Sequence, residues 1–364
     1  MQADHPQTGA AVVAVLDTTP VVAPGVAADA HWSRSLPLAI GLALVGVAGI
    51  VAGTTILNDG AMFLRVVLVL AGLVAAYQAV TIGAHHFKPD ADVAFVLSAV
   101  WLVGLVGVAI LAPLLPLGEY KDTAKALREP SLLRPDLFSK HPLGTNNFSL
   151  DILSRVIYGA RASLLMALAA VLIGLVIGGL IGMVSGYLGG KVDWVLGILN
   201  NTLLAFPPLV LLLALATVME RDARNIAIAL GILAIPVNVR LARANTLAVA
   251  EQGFVTAARA MGASRRRVLF KELLPNVAPP LVSYGLVLMA LLIVAEASLS
   301  FLGLGVQPPN PSWGNMISEG NGGQFEQYPH VVIVPGVVVF LTVFAFNLVG
   351  GRARSRWDKV GAGQ

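Results

Sequence analysis

The residues that could carry chemistry in this sequence are few, and they do not form a known catalytic arrangement. Gly190-Lys191 resembles the end of a nucleotide-binding loop. However, Ser185 stands where such a loop needs its first glycine, and Val192 stands where it needs a magnesium-binding serine or threonine. The chain has no cysteine, which excludes disulfides and thiol catalysis. We therefore expect this chain not to be an enzyme and not to hydrolyse ATP by this route.

Metal binding is also not favoured by the sequence. The six histidines are scattered along the chain. None is paired at ligand spacing with an acidic residue that the sequence places within reach, so no metal site is predicted.

Glu296 is the one acidic residue that lies well inside an apolar run. A charged carboxylate inside a membrane costs on the order of several kcal/mol, so such a residue is a functional candidate by default. Together with Ser298 and Ser300 it is a candidate for lining a pore or gate. A structural role, in which the carboxylate bonds to the Ser298–Ser300 region or to a partner chain, is the alternative that the sequence leaves open.

Residues 251–275 form a basic segment whose composition predicts a helix, a break and a second helix. Ala257 to Met261 are strong helix formers, and Gly262 can end that helix. Ser264 can cap the second helix, and Pro275 predicts its end. The three arginines after Ser264 oppose the helix dipole, an arrangement that acidic groups of a partner would offset. The residues alone leave two interpretations open, a docking helix with a low alanine face and an ordinary basic cytoplasmic loop.

The elements that position these residues are predicted to be transmembrane helices. Hydrophobic residues make up 57% of the chain and charged residues 12%, whereas soluble domains carry about 25% charged residues. A membrane-spanning helix needs about 20 mostly apolar residues. Eight stretches meet this need: 36–56, 62–84, 93–115, 162–188, 194–219, 225–241, 281–302 and 331–349.

The distribution of Lys and Arg predicts the orientation of these helices. The segment 242–276 and the tail 351–364 are rich in both, whereas the loop 303–330 contains neither. Since basic loops stay in the cytoplasm, both termini are expected there, including a disordered tail at 1–35. The mixed-charge loop 116–161 is then extracytoplasmic, because long loops cross largely regardless of charge.

The fourth predicted helix carries a glycine stripe. Its members recur every four residues, which places them on one helix face: Gly174, Gly178, Gly182, Gly186 and Gly190. Such a stripe lets a neighbouring backbone approach closely, so it predicts helix packing and not a ligand site. Two proline sites, Pro207-Pro208 and Pro236, predict kinks.

The basic segment closely resembles the cytoplasmic "EAA" loop of binding-protein-dependent ATP-binding-cassette importers. The resemblance lies in Ala257-Ala258, Gly262 and Leu274-Pro275. Thr256 departs from it, because the family usually has glutamate at that position. Three further stretches resemble the second, "C"-type permease of the dipeptide/oligopeptide/nickel group, and in this sequence they are HPLGT (141–145), DILSR (151–155) and EASLSFLGLGVQPPNPSWG (296–314).

That resemblance implies a fold and a division of the chain. The fold is an all-α integral membrane protein of the type I importer class, with six core transmembrane helices and two extra N-terminal ones. Residues 36–91 would hold the two accessory helices. Residues 92–350 would form the permease domain, with its coupling loop at 242–276.

The resemblance also implies partners and a site. The partners would be a homologous second permease, two ATPase subunits and an extracytoplasmic substrate-binding protein, in the bacterial cytoplasmic membrane. ATP and magnesium would be held by the ATPases, and no cofactor by this chain. The residues implied in docking the ATPase are Phe254, Thr256, Ala257, Ala258, Arg259, Gly262, Ser264, Arg265, Arg266, Leu274 and Pro275.

The expected function is therefore that of a permease subunit for di- or oligopeptide import. The first alternative is the same machine importing nickel, glycosides or glutathione. The second is an ion-coupled secondary transporter, which would show paired intramembrane acids near the middle of the membrane. Glu296 alone fits that pattern.

Overall fold

The computed structural model describes residues 36–51, 71–72, 74–75, 77–82, 92–136, 138–320 and 324–362. The chain divides into two units, Met1–Val93 and Ala94–Gln364. In the first unit, helix α1 spans Leu36–Val51, and the described part of 71–82 is helical. The predicted tail at 1–35 and most of the predicted span 62–84 lie outside the described residues.

From Val93 onward the described residues form helices joined by turns and by two longer, non-helical segments around residues 127–151 and 302–312. The helices are α2 (Val93–Leu111), α3 (Thr123–Ala126), α4 (Ile152–Ile173), α5 (Gly179–Leu188), α6 (Gly190–Ala205), α7 (Pro208–Val218), α8 (Ala223–Ala250), α9 (Gly253–Ala260), α10 (Arg265–Arg267), α11 (Leu274–Phe301), α12 (Trp313–Glu319), α13 (Gln324–Gln327) and α14 (His330–Ala362). A π turn at Gly174–Gly178 joins α4 to α5, and another at Val268–Leu273 joins α10 to α11.

Five helical stretches in the described residues are long and apolar enough to cross a membrane. They are Val93–Leu114, Ile152–Leu188, Ala223–Ala250, Arg265–Phe301 and His330–Ser355. A sixth crossing exists if the pair α6 and α7, which is bent by 89°, forms one span. The all-α, multi-pass class predicted from the sequence is confirmed.

The predicted span 194–219, for which a kink was expected, is divided into two helices, α6 and α7. Phe206 and Pro207 have extended backbone conformations between α6 and α7. Pro207 and Pro208 lack the N–H groups that would continue the ladder, and Pro208 begins the next helix, where proline is well tolerated. The kink predicted at this proline pair is therefore a complete break.

Two predicted helix ends are wrong. Helix α8 runs for 28 residues through Pro236 and does not end at residue 241. Arg240 and Arg243 lowered the apparent hydropathy there without weakening the helix, since arginine is a good helix former. Pro275 does not end the second helix of the basic segment, because it sits in the first turn of α11 after the π turn.

The glycine stripe packs α4 and α5 against α8, as predicted. A Cβ atom at Gly182 would lie 2.4 Å from the Val239 carbonyl oxygen, and one at Gly178 would lie 2.6 Å from the Ile235 oxygen. Gly190 does not belong to the stripe. The helix ends at Leu188, and a Cβ at Gly190 would meet nothing within 4 Å.

Candidate functional site

The basic segment forms a short helix and a tight turn that leads into the membrane span Arg265–Phe301. Helix α9 ends in a Schellman motif. The N–H of Ala263 donates to the Ala258 carbonyl at 3.0 Å, and the N–H of Gly262 donates to the Arg259 carbonyl at 3.0 Å. Gly262 has φ +82°, a conformation that other residues rarely adopt. The helix stop predicted at Gly262 is confirmed.

Ser264 begins the second helix in the manner predicted. Its side-chain oxygen accepts a hydrogen bond from the N–H of Arg267. The three arginines of α10 that follow it are exposed. Through the π turn, α10 continues into α11, so any displacement of this loop is applied directly to a long membrane helix.

The loop, residues 251–275, is anchored by a small apolar cluster of its own. Val255, Val268 and Leu273 are fully buried and pack with Tyr187 of α5 and Val249 of α8. Ala258 is buried on the same side of α9. Ala258 thus supports the loop from within, although the sequence placed it on the outward alanine face.

The opposite face of the loop is exposed. Of the predicted docking residues, those on this face are Phe254, Thr256, Ala257, Arg259, Gly262, Ser264, Arg265, Arg266 and Pro275, while Leu274 is half-buried. Met261 is 82% exposed and Phe270 52% exposed, and neither was predicted as a docking residue. Large apolar side chains next to a glycine turn in a basic segment are the signal that could have identified them.

Arg259 also makes a contact inside the chain. Its guanidinium lies over the Tyr187 ring at 4.9 Å from the ring centroid. This cation–π contact joins α9 to the end of α5. Tyr187 could be linked to the loop only by tertiary structure, because 72 residues of chain separate it from Arg259.

Glu296 is fully buried within this chain, at the junction of α4, α11 and α12. Its carboxylate accepts hydrogen bonds from the hydroxyls of Ser163 at 2.9 Å and Ser300 at 2.7 Å. Ser163 in turn accepts from the backbone N–H of Trp313 at 3.4 Å. Ser298 points away and donates to the Val294 carbonyl of its own helix at 2.8 Å. These contacts favour the structural alternative for Glu296 over pore lining.

At the end of the bundle opposite the loop, a second polar cluster is buried. Arg155 donates to Glu319 at 2.5 Å, and the amide of Asn146 donates to the other carboxylate oxygen at 2.9 Å. Burial raises the pKa of Glu319, and the Arg155 charge offsets part of that rise. The cluster fixes the segment before α4 and helix α12 to the start of α4.

His141 lies in the same region, and the expectation that no histidine has an acid within reach is wrong for it. Its Nδ1 is 3.0 Å from Asp151, and its Nε2 is 3.6 Å from Glu129. The folded segment brings together residues that the sequence separates by ten or more positions. In the described part of the chain, no group of three or more His, Asp or Glu side chains converges in a way that could hold a metal ion.

These features define a class of protein: a multi-pass α-helical membrane protein whose exposed loop is rigidly joined to its spans. Residues 174–358 match the family of binding-protein-dependent transport system inner membrane components. The chain belongs to this family, and it is a permease component of such a transport system. The resemblance to the dipeptide/oligopeptide permease group is confirmed by the relatives below.

The chain is 38% identical over 264 residues to the glutathione transport system permease protein GsiD of Escherichia coli, a match that covers 72% of this chain and 84% of that protein. It is 33% identical over 260 residues to the dipeptide transport system permease protein DppC of Alkalihalophilus pseudofirmus, covering 71% and 83%. Among solved structures, a chain of the MetNI methionine ABC transporter matches with 19% identity and a TM-score of 0.48, covering 57% of this chain and 97% of that one.

Proposed function

We propose that this chain is the non-catalytic permease subunit of an ATP-driven importer for small peptides, and that residues 254–275 of its coupling loop 242–276 dock onto a partner ATPase. The exposed loop carries the proposal. It is held rigid by the Schellman turn at Gly262 and by the buried Val255, yet it presents Phe254, Met261 and three arginines to solvent. An apolar knob with a basic rim suits a partner cleft that is apolar inside and acidic at its edge.

The loop suits mechanical coupling because both of its ends continue into membrane helices. It follows α8 directly, and α10 leads without a break into α11. ATP and magnesium would bind to the two partner ATPases, and this chain would hold no cofactor. When the ATPases close on ATP, the loop would move and change which side of the membrane the spans open to. For such coupling, nucleotide and substrate must bind the two conformations with different affinity.

The remaining partners follow from the family and from the exposed surfaces. A homologous second permease would pack beside this chain and complete the pathway. An extracytoplasmic binding protein would deliver the substrate to the end that carries Arg155 and Glu319. In the bacterial cytoplasmic membrane, both termini of this chain would then face the cytoplasm, as the positive-inside rule indicates.

The proposed substrate is a di- or oligopeptide, with glutathione, itself a peptide, included. The relatives GsiD and DppC are named for transport of glutathione and dipeptide. Nickel and glycosides are the competing cargoes for the same machine. Uptake of each compound by cells that carry or lack the complete transporter distinguishes them.

The first experiment is co-purification of the tagged chain with its partners in mild detergent. Two loop variants, Gly262→Asp and the triple reversal of Arg265, Arg266 and Arg267 to Glu, should lose the ATPases and retain the second permease. Gly303→Asp is the matched control. Gly303 also has a positive φ, +76°, and open space around it, but it follows α11 at the opposite end.

Full retention of the ATPases by both loop variants would contradict the docking role. Purification of the wild-type chain without any ATPase would contradict the importer itself. In that case the ion-coupled secondary transporter becomes the function to test, by uptake driven by an imposed proton or sodium gradient.

A further inference from the structure

A polar cluster near the loop end joins three helices at one carboxylate. Arg243 of α8 donates from Nε to Asp193 Oδ1 at 2.5 Å and from Nη2 to Oδ2 at 2.7 Å. Ser185 of α5 donates to Oδ1 at 2.6 Å. We call these three residues the Asp193 cluster. A two-point arginine–carboxylate contact fixes orientation as well as distance, so the first turn of α6 has a defined position relative to α5 and α8.

Both helices that hold Asp193 are connected to the docking loop, α8 through the chain and α5 through a side-chain contact. Arg243 precedes the end of α8 at Ala250 by two turns, and the loop begins there. Ser185 lies two residues before Tyr187, whose ring contacts Arg259 of α9. The Asp193 cluster therefore touches two elements that are in direct contact with the loop.

Helix α6 has few other attachments at this end. Gly189 precedes it and Gly190 is its first residue, with φ +62° and +54°, and a Cβ at either would meet nothing within 4 Å. Two adjacent residues in this conformation form a backbone joint that depends on glycine. Beyond Asp193, the side chains of Trp194, Ile198 and Leu199 are 69%, 46% and 58% exposed. Within this chain, the Asp193 cluster is therefore the main contact that holds the start of α6.

We propose that the Asp193 cluster is a positioning device that carries movement of the docking loop to the bent α6–α7 pair. Asp193 and Arg243 are the positioning residues, and Ser185 orients the carboxylate. The joint at Gly189 and Gly190 lets α6 rotate as a rigid body. When α8 moves, the ion pair sets the direction of that rotation. This inference rests on the proposed function and adds to it the route from the ATPase to the translocation pathway.

The exposure of the pair supports this role over a purely structural one. The Arg243 and Asp193 side chains are 41% and 24% exposed. Partly exposed ion pairs typically contribute little to stability, and a two-point arginine–carboxylate contact somewhat more, so loss of this one contact should not unfold the bundle. A contact that is geometrically strict and contributes little stability affects the relative position of two helices more than their folding.

The test uses the complete transporter, with both permeases, the ATPases and the binding protein, in lipid nanodiscs. Because the chain has no cysteine, spin labels can be placed on Leu199→Cys in α6 and on Leu165→Cys in α4, both exposed. The distance between the labels is measured with and without trapping by ATP and vanadate. In the otherwise wild-type chain we expect trapping to shift this distance.

Asp193→Asn and Arg243→Gln should abolish the shift while ATP hydrolysis stays within about twofold of wild type. Uptake of a radiolabelled dipeptide in proteoliposomes should fall about tenfold, a typical size for coupling between sites. The exchanged pair Asp193→Arg with Arg243→Asp should restore part of the shift, which a general loss of folding would not allow. Asp222→Asn is the matched control, because Asp222 caps the far end of α8 and asparagine caps equally well.

A wild-type distance shift in Asp193→Asn would overturn the inference. Loss of the ATPases from the Asp193→Asn complex would also overturn it, since the cluster would then maintain the docking loop and not transmit its movement. Failure of the proposed function gives a different result: the wild-type complex would lack ATPases, or it would hydrolyse ATP without any response to the binding protein.

Discussion

At the scale of single residues, Glu296 shows how a carboxylate can be held inside an apolar bundle. It accepts two hydroxyl hydrogen bonds, from Ser163 on α4 and from Ser300 on its own helix. Ser312 extends the network through a 3.5 Å contact between its hydroxyl and that of Ser300. A buried polar network of this kind holds its helices in one arrangement as long as every member has a partner.

Glu296→Ala should destabilise the chain by about 2–5 kcal/mol, because two buried hydroxyls lose their acceptor and a cavity forms. Glu296→Gln keeps a carbonyl acceptor in a side chain of the same shape. Its loss of stability should therefore be less than half that of Glu296→Ala. Thermal unfolding in detergent measures both, with Ser298→Ala as an unaffected control. If Glu296→Ala kept wild-type stability and only transport failed, the gate role would replace the structural one.

At the scale of elements, α4 and α5 approach α8 closely along the glycine stripe. A Cβ at Gly174 would lie 2.7 Å from the Cβ of Ala234, and one at Gly182 would lie 2.6 Å from the Cβ of Ala242. Without glycine on this face the two backbones could not approach as they do. Where lipid supplies no hydrophobic drive, such close packing is a main source of helix association.

Gly182→Ala should destabilise the bundle by about 1–3 kcal/mol, since the new methyl group meets the backbone oxygen of Val239, which cannot turn aside. Gly197→Ala in α6 is the matched control. It lies inside a helix with nothing within 4 Å, so alanine should be neutral or stabilising by up to about 1 kcal/mol. Equal melting temperatures for both variants would contradict the packing described for α5 and α8.

At the scale of the whole permease unit, the bundle has two chemically different ends. One end carries the docking loop and the Asp193 cluster. The other carries His141, Asp151, Arg155 and Glu319 in a compact folded segment. Helix α14 connects them, since His330 lies beside Gly144 of that segment and the helix runs 33 residues to Ala362.

The positive-inside distribution predicts that the Arg155–Glu319 end faces outward. Phe138, fully exposed on a turn at that end, should react in intact cells with a membrane-impermeant maleimide when replaced by cysteine. Ser355, about 37 Å farther along α14 than His330, should react as Ser355→Cys only after the cells are permeabilised. The absence of native cysteine removes background labelling. Reaction of Ser355→Cys in intact cells would reverse the orientation.

Much of the fold was determined by the sequence alone, because it depends on local chemistry. Long apolar runs must become helices in lipid, so the five continuous spans described from Val93 onward were located approximately by the sequence. The turn at Gly262 and the cap at Ser264 follow from backbone freedom and from a hydroxyl next to free N–H groups, and both were predicted correctly. The recurrence of glycine every four residues predicted which face of α4 and α5 packs closely against another helix.

Only the tertiary structure decided which distant groups meet. Nothing local distinguishes Asp193 from a solvent-facing acid, and its role arises because α8 places Arg243 within 2.5 Å of it. In the same way, the sequence made Glu296 a pore candidate, and only the folded structure shows that it is a buried hydrogen-bond acceptor. Folding also places Asp151 next to His141. Pro275 was misjudged for a related reason: it lies in the first turn of α11 after a π turn, where its missing N–H interrupts the helix less than in the interior.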